Sequence, residues 1–238
     1  MVILAAVLLS SCGEDARLPA LGSQVTFSTA VSRVEDSRWH DGDCLGITME
    51  RDGRAVSYNI PYRASSEGIL TAEDTEIFFP ADDSKVDFTA YYPYRETSSD
   101  WIDIEPGTDF LYSDNATGRR ASQGGVMLKF NHIMAKLIVE VEREAGVEGR
   151  VEMKVRCSKS ARFNIRSGRL RPGIHQTDHE FDGTTYLIPG RRAQLRVSCG
   201  KYSRTMRLRS SQIKSGEPIR IKLKLKKRNR TLAMAELE

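Results

Sequence analysis

The chain has 238 residues, 39% of them apolar, and a net charge of +4, so it is long enough for one large domain or two ordinary domains with real cores. Residues 1–118 contain 8 Lys+Arg and 21 Asp+Glu, a net charge of −13, and the rest of the chain carries +17. The basic half has neither a recognition-helix pattern nor aromatic-rich basic strands, which argues against nucleic acid as a partner.

The first predicted element is an export signal with its tether, at residues 1–22. Val2–Leu9 is apolar, but it is far shorter than the roughly 20 residues that span a bilayer. It runs into Ser10-Ser11-Cys12, a small-residue site that ends in cysteine, which predicts export, cleavage and a lipid on Cys12. The positively charged start of such signals is missing, so the alternatives are a true start upstream of Met1 or a buried strand.

The rest of the chain reads as β-strands, because apolar and polar residues alternate with period two between clusters of Gly, Pro, Asp or Ser. The first half is predicted to contain the strands Gln24–Val31, Cys44–Glu50, Ala55–Tyr62, Ile69–Leu70, Glu76–Phe79, Val86–Tyr92, Trp101–Ile104 and Phe110–Tyr112. The second half is predicted to contain Val126–Glu142, Val151–Cys157, Ala161–Ile165, Thr184–Ile188, Gln194–Ser198, Ser203–Arg209 and Ile219–Lys226. Short strands with little helical periodicity indicate an all-β fold of two tandem antiparallel β-sandwich domains.

The domain boundary is predicted where the charge changes sign. Residues 115–125 are mostly small and turn-forming, as in a linker, which gives domains at 23–118 and 119–228 and a short tail at 229–238. Val126–Glu142 is too long for a usual strand, so a bend or bulge is expected at Asn131-His132; a helical turn over His132–Val139 is the alternative. In the tail, Thr231–Glu238 favours helix by propensity.

Cysteine spacing argues against a zinc cluster, since no two cysteines form a CxxC pair. Cys157 and Cys199 lie in the same half on predicted strands. A disulfide between them is the alternative to three buried free thiols, the third being Cys44.

Histidine and carboxylate spacing gives no firm metal or catalytic site. His175 and His179 have the i,i+4 spacing of zinc ligands on a helix, but the Pro and Gly residues around them predict a loop. Asp41 and Asp43 are potential calcium ligands, although Gly42 between them favours a structural turn. The chain has no G-x-S-x-G motif and no Gly-rich phosphate loop before a helix. We therefore expect no enzyme activity, no cofactor and no metal, with His132 in a structural role.

Several motifs resemble, in family order, those of the Bacteroidetes fimbrillin family of fimbrial subunits and anchor lipoproteins. They are Trp39-His40-Asp41-Gly42-Asp43-Cys44-Leu45-Gly46-Ile47, Val86-Asp87-Phe88-Thr89-Ala90-Tyr91-Tyr92-Pro93-Tyr94, Asp109-Phe110-Leu111-Tyr112, Leu128-Lys129-Phe130-Asn131-His132-Ile133-Met134-Ala135-Lys136-Leu137 and Tyr186-Leu187-Ile188-Pro189. The resemblance spans about residues 24–226. It implies two transthyretin-like β-sandwich domains in a surface-exposed lipoprotein of the outer membrane, within or beneath fimbriae.

The resemblance also implies how such a protein meets its partners, which would be other fimbrial subunits. In polymerising members an arginine-specific protease removes the first strand, and a strand from a neighbouring subunit fills the groove. On this chain the removable strand corresponds to Gln24–Val31, with Val25, Phe27 and Thr29 facing inward. Arg33 and Arg38 follow it as candidate processing sites; an ordinary surface loop that carries arginines is the alternative.

The end of the chain predicts a role at the base or tip of a fimbria. The last predicted strand contains Ile219, Ile221, Leu223 and Leu225 in alternation with basic residues. This pattern suits a donor strand, but it equally suits a strand that completes its own core, with lysines that protect an exposed edge. We expect self-completion, which favours an anchor, tip or accessory subunit over a main stalk subunit.

An aromatic segment supplies the alternative function, a glycan-binding surface lipoprotein. Tyr94 and Trp101 are the candidate platforms for a host or bacterial surface ligand. Alternation along Phe88–Tyr92 requires at least one set of those aromatic side chains to belong to the core, which weakens a binding role for the whole segment.

Overall fold

The computed structural model describes residues 21–32, 38–144, 147–200, 202–225 and 236–237. Strands dominate, which confirms the all-β prediction, and the helical elements of the described residues are two 3-10 turns, Ala121–Gln123 and Ser210–Gln212. No helix in this part of the chain is long and apolar enough to cross a membrane. The predicted lipidation site, Cys12, lies outside the described residues.

Among the described residues, nine strands precede the first 3-10 turn and eleven follow it. The first nine are β1 (Leu21–Gln24), β2 (Phe27–Val31), β3 (Asp43–Arg51), β4 (Arg54–Ala64), β5 (Ile69–Ala72), β6 (Phe78–Pro80), β7 (Val86–Tyr92), β8 (Trp101–Ile104) and β9 (Leu111–Arg119). The others are β10 (Val126–His132), β11 (Ala135–Arg143), β12 (Val151–Ser158), β13 (Ala161–Asn164), β14 (Leu170–Pro172), β15 (Gln176–Phe181), β16 (Thr184–Leu187), β17 (Ala193–Cys199), β18 (Tyr202–Leu208), β19 (Ile219–Leu225) and β20 (Glu236–Leu237).

The first half is built on a sheet that closes on itself in the order β10-β2-β5-β4-β3-β7-β9, with β1 and β6 as a separate pair. Alternation determines which face of each strand is buried. In β10 it buries Val126, Leu128 and Phe130 and exposes the residues between them. Their partners in the core of the closed sheet include Ile47 and Phe88, both fully buried.

The second half contains two four-stranded sheets, β16-β11-β19-β20 and β15-β12-β17-β18. Their inner faces bury a second core, represented by Leu137, Val155, Leu195 and Ile221. The division into two transthyretin-like domains stays a prediction.

A third sheet, β14-β13-β8, joins strands from the two halves, since β8 belongs to the first half of the chain and pairs with β13. The core beneath it contains Tyr91, Phe110, Met134 and Phe163, with the Phe110 and Phe163 rings 4.8 Å apart. The halves are thus connected by pairing and by packing.

The pairing differs from the sequence-based boundary after residue 118. That position lies inside β9, whose last residue is Arg119, and β10 pairs in parallel with β2 and so completes the closed sheet. The predicted linker at 115–125 is therefore wrong: it is the end of a strand followed by a 3-10 turn. The small residues of this segment belong to a strand that pairs with β7, so they do not mark a linker.

The long segment 126–143 runs through both halves. β10 ends at His132 and β11 begins at Ala135, so the expected interruption is present, and at this point the chain leaves the closed sheet and enters the sheet of β16, β11 and β19. β2 runs parallel to β10 and β19 runs parallel to β11. In the tail, Glu236–Leu237 forms β20 against β19, so the helix predicted for 231–238 is wrong at these two residues.

Candidate functional site

The two first described strands are both paired, and the second of them lies between two other strands. β1 pairs with β6, and β2 lies between β5 and β10. The Val25 amide donates to the Ile77 carbonyl at 2.8 Å, and the Thr29 amide donates to the Gly68 carbonyl at 2.8 Å. β2 is therefore held on both sides by backbone hydrogen bonds and β1 on one side, the interaction that an added strand also uses.

Two side chains of this segment point into the core of the closed sheet, as the alternation predicts. Val25 and Phe27 are only 2% and 3% exposed. The Phe27 ring makes edge-to-face contacts with Tyr62, at 5.2 Å between ring centres, and with Phe88, at 5.3 Å. Thr29 is half-buried, and its hydroxyl donates to Gly68. Removal of this segment would expose the Tyr62 and Phe88 rings; that it is removed stays a prediction.

Gly68 permits the close approach of the first segment to β5. It has φ of +80°, and a Cβ at this position would lie 2.8 Å from the Thr29 hydroxyl oxygen. Its amide closes a turn on the Ser65 carbonyl at 2.8 Å. A side chain at position 68 would therefore strain the turn and push Thr29 away.

The structure describes one of the two candidate processing arginines. Arg33 lies outside the described residues, whereas Arg38 is described and exposed. The residue after Arg38 is fixed, because the Trp39 ring is 7% exposed and packs edge-to-face on Tyr92 and Phe130 at 5.4 and 5.3 Å. The next residue, His40, donates its amide to the Asp43 carboxylate at 2.9 Å.

Asp41 and Asp43 shape a turn. The Asp41 carboxylate accepts from the Ser66 amide at 2.6 Å, and Asp43 accepts the Tyr92 hydroxyl at 3.0 Å as well as the amide described above. Gly42 has φ of +93°, the left-handed conformation that glycine adopts readily. These contacts are those of the structural turn that the sequence favours.

The motifs of the sequence resemblance meet at one seam between the halves, where a cavity of about 230 Å³ is present. Its lining includes Trp39, Tyr92, Asp109, Lys136 and Tyr186, one residue from each motif. Burial, followed by the nearby Asp43 carboxylate, raises the pKa of Tyr92 to about 12. Sequence reasoning did not place these residues together, although the order of the motifs was the available signal.

His132 is a buried structural residue in this seam. Its Nδ1 lies 2.6 Å from an Asp109 carboxylate oxygen, and its side chain is 3% exposed. The Asp109 carboxylate also contributes to raising the pKa of Tyr186, after burial. A histidine that is held by a carboxylate in a closed seam positions the strands around it.

The terminal strand completes its own core. Ile219, Ile221, Leu223 and Leu225 are all less than 8% exposed, and Lys222 and Lys224 between them face outward. β19 lies between β11 and β20, with seven residue pairs to β11. The arrangement agrees with self-completion; a donor role for this strand is not needed to explain its pattern.

Tyr94 and Trp101 have different neighbours. Tyr94 follows β7, and its amide donates to the Cys44 carbonyl at 2.8 Å. Trp101 lies on β8, and the Arg171 guanidinium is 4.3 Å from the centre of its ring, with Arg162 at 5.4 Å. A guanidinium therefore already occupies part of the Trp101 surface that a sugar ring would need.

The predicted loop around His175 and His179 is partly wrong. His179 lies in β15, paired with Val155 of β12, and four residues along a strand span about 13 Å. The two histidines are therefore too far apart to share an ion. The described part of the chain has no cluster of three or more His, Cys, Asp or Glu residues that could hold a metal.

The three described cysteines are free thiols. Cys199 pairs in register with Val151, six residues before Cys157, so the two sulfurs sit near opposite ends of β12, about 20 Å apart along the strand. Cys157 and Cys199 are buried as expected, whereas Cys44 is half-buried and its thiol donates to Glu73 at 3.4 Å.

Comparison with known families decides the relationship of the chain. A family described as fimbrillin-like matches residues 32–238. The chain belongs to the fimbrillin-like family. The resemblance drawn from its motifs is confirmed, and membership indicates a structural, non-enzymatic protein.

Relatives of this fimbrillin-like chain agree with the assignment. A protein of Bacteroides uniformis named as a candidate fimbrium subunit, Fim1C, is 31% identical over 163 residues, which are 60% of this chain and 54% of the relative. The match thus spans about half the length of that protein. Crystal structures of candidate cell adhesion proteins from B. uniformis and B. ovatus have the same fold, with TM-scores of 0.73 and 0.70 and 19% identity each. The B. uniformis match covers 90% of this chain and 95% of that protein, and the B. ovatus match covers 92% and 98%.

Proposed function

We propose that this protein is a structural component of a surface fimbria that assembles by strand addition. In this proposal residues 21–31 leave the closed sheet, and an extended strand from a neighbouring subunit takes their place. The main support for this proposal is that Val25 and Phe27 are buried in the core, and that β2 lies between two strands, β5 and β10, that supply backbone partners. The name of the Fim1C relative supports the fimbrial setting.

The surroundings of Arg38 argue against processing there, so we place the cut at Arg33. Proteases cut exposed chain that can extend into their cleft. The residues after Arg38 are held by the buried Trp39 ring and by the turn at Asp43, so the bond after Arg38 is a poor substrate. A cut at Arg33 would release the first segment and leave the Trp39 turn in place.

The position we propose within the fimbria is that of an anchor, tip or accessory subunit. Donation of β19 would expose four side chains that are now buried, at about 1.5–3 kcal/mol each. The total of about 6–12 kcal/mol is as large as the stability of a typical domain. Such a subunit receives a strand and keeps its own, and a lipid on Cys12 would hold it at the outer membrane until a cut at Arg33 releases residues 1–33.

The test compares wild type with Arg33→Ala and Arg38→Ala variants in native cells. We expect wild type and Arg38→Ala to start after Arg33, and to run without heating as high-mass bands that boiling dissociates. Arg33→Ala should keep its first segment and remain monomeric. Wild-type protein that retains residues 21–31 and is monomeric in unheated samples would refute assembly by strand addition.

A further inference from the structure

The closed sheet has a gap on one side, between β4 and β6. β4 spans Arg54–Ala64, but β5 pairs with only its last three residues, Tyr62–Ala64. Within the described part of the chain, every strand pairing of Arg54–Ile60 is with β3, and the other edge of β4 faces a groove. β6 forms the opposite wall, and its strand pairing is with β1.

The groove has the size and lining of a site for an extended chain. Its volume is about 950 Å³. A residue in a sheet occupies about 3.4 by 4.8 by 10 Å, or roughly 160 Å³, so the groove holds about six residues. Val56 on β4 and Phe78 on β6 line the walls, and the buried Met49 and Phe79 contribute apolar surface. Val56 is 52% exposed, which is unusual for a large apolar side chain.

The rim of this groove is acidic. Glu73, Asp74, Glu76 and Asp82 line it, together with a single basic residue, Arg51. Arg51 is paired with Asp82 at 2.9 Å, and Glu73 is paired with Arg63. Asp74 and Glu76 have no ion-pair partner among the described residues, so their charges are available to a ligand.

We propose that this groove binds an extended segment of another polypeptide in which apolar and basic residues alternate. The backbone of the segment pairs with the free edge of β4, its apolar side chains cover Val56 and Phe78, and its lysines or arginines meet Asp74 and Glu76. A second copy of this chain is a poor source, because its own alternating basic strand, β19, is buried in its own sheet. The proposed site belongs to the unprocessed chain, because β6, one of its walls, pairs with β1 of the segment 21–31.

The test uses the whole unprocessed chain and two synthetic probes, the amidated peptides Lys-Val-Lys-Val-Lys-Val and Glu-Val-Glu-Val-Glu-Val, in a fluorescence anisotropy titration. The basic probe should bind at least tenfold more tightly than the acidic one, and binding should weaken as salt is raised, since exposed charges are screened. Val56→Asp removes apolar contact area and should weaken binding of the basic probe about tenfold or more. Asp74→Asn combined with Glu76→Gln should weaken it several-fold.

Ile69→Asp is the matched control, since Ile69 is 53% exposed on β5 and lies outside the groove. It should bind the basic probe as wild type does, and circular dichroism should show that both variants keep the fold. Equal binding of the two probes, or unchanged binding by Val56→Asp, would overturn the proposal. A third outcome would also overturn it: the basic probe fails to bind, and sedimentation shows self-association that Val56→Asp abolishes. That result would assign the groove to a second copy of the chain.

Discussion

Phe27 is the side chain through which the first segment holds the closed sheet together, so Phe27→Ala should strongly destabilise the first half. The ring is 3% exposed and contacts two other buried aromatic rings edge-to-face. Truncation of a buried Phe to Ala typically costs about 3–5 kcal/mol, and each aromatic pair contributes about 0.5–1.5 kcal/mol of that. We expect a loss of about 4 kcal/mol, a large part of the 5–15 kcal/mol that is typical for a folded domain.

Urea unfolding followed by tryptophan fluorescence measures this loss directly. The chain has two tryptophans, and Trp39 packs against Phe130 of the closed sheet. A Trp101→Phe background therefore makes the signal report on the first half. Unchanged denaturant slopes between variants would show that the difference is one of stability.

Ile69→Ala is the control for this measurement, because Ile69 pairs with β2 at Ser28 but is exposed. Its free energy of unfolding should stay within about 0.5 kcal/mol of wild type. A loss below about 1 kcal/mol for Phe27→Ala would refute the reasoning, because the ring would then not be part of a packed core.

Three further predictions concern the rest of the molecule. Arg166→Met should lower the free energy of unfolding by about 2 kcal/mol, because Arg166 pairs with Glu50 at 2.5 Å and with Asp100 at 3.3 Å. The control is Arg54→Met, since Arg54 is exposed. Equal thermal-unfolding midpoints for the two variants would contradict the prediction. Burial raises the pKa of Tyr58 and Tyr91 from 10.0 to about 12. The stability that these phenol protons supply is therefore complete below pH 10 and is lost as the pH rises toward 12. Absorbance that shows these phenols ionising at pH 10 in the native protein would disprove the prediction. Burial raises the pKa of Cys157 to about 11, so thiolate reagents should label it slowly at pH 8, and a mass gain of two hydrogens on reduction would show a disulfide instead.

Strand identity was readable from the sequence wherever one face of a strand is buried. β10 and β19 show why: their buried residues alternate strictly, so period two is visible. β15 was missed because none of its residues is fully buried and polar side chains fill most positions. The short β14 carries the same weak signal.

The pairing partners of the strands were harder to predict from the sequence than the strands themselves. The charge change near residue 118 suggested a boundary, but β10 returns to the closed sheet because its apolar residues complete that core beside β2. Charge reports the solvated face of a strand and says little about which sheet the strand joins. The β8–β13 pair likewise joins residues about 60 positions apart, a relation that no local pattern encodes.

The meeting of the motifs at the seam was also beyond local reasoning. The sequence supplied Trp39, Tyr92, Asp109 and His132 as separate motif members in family order. Their contacts depend on how the strands close, which the spacing does not state. In contrast, the inward direction of Val25 and Phe27 followed from alternation alone, and the structure places both in the core.

The parallel arrangement along segment 126–143 determines how the molecule would carry load. β2 and β19 flank successive parts of this segment and run in its direction. Tension applied between residues 21 and 225 would pull the two strands lengthwise in opposite directions along a shared axis. Their rows of hydrogen bonds would then be loaded in shear, many at once, instead of opening one by one like a zipper. The unprocessed chain thus resists pulling along the axis that joins residues 21 and 225.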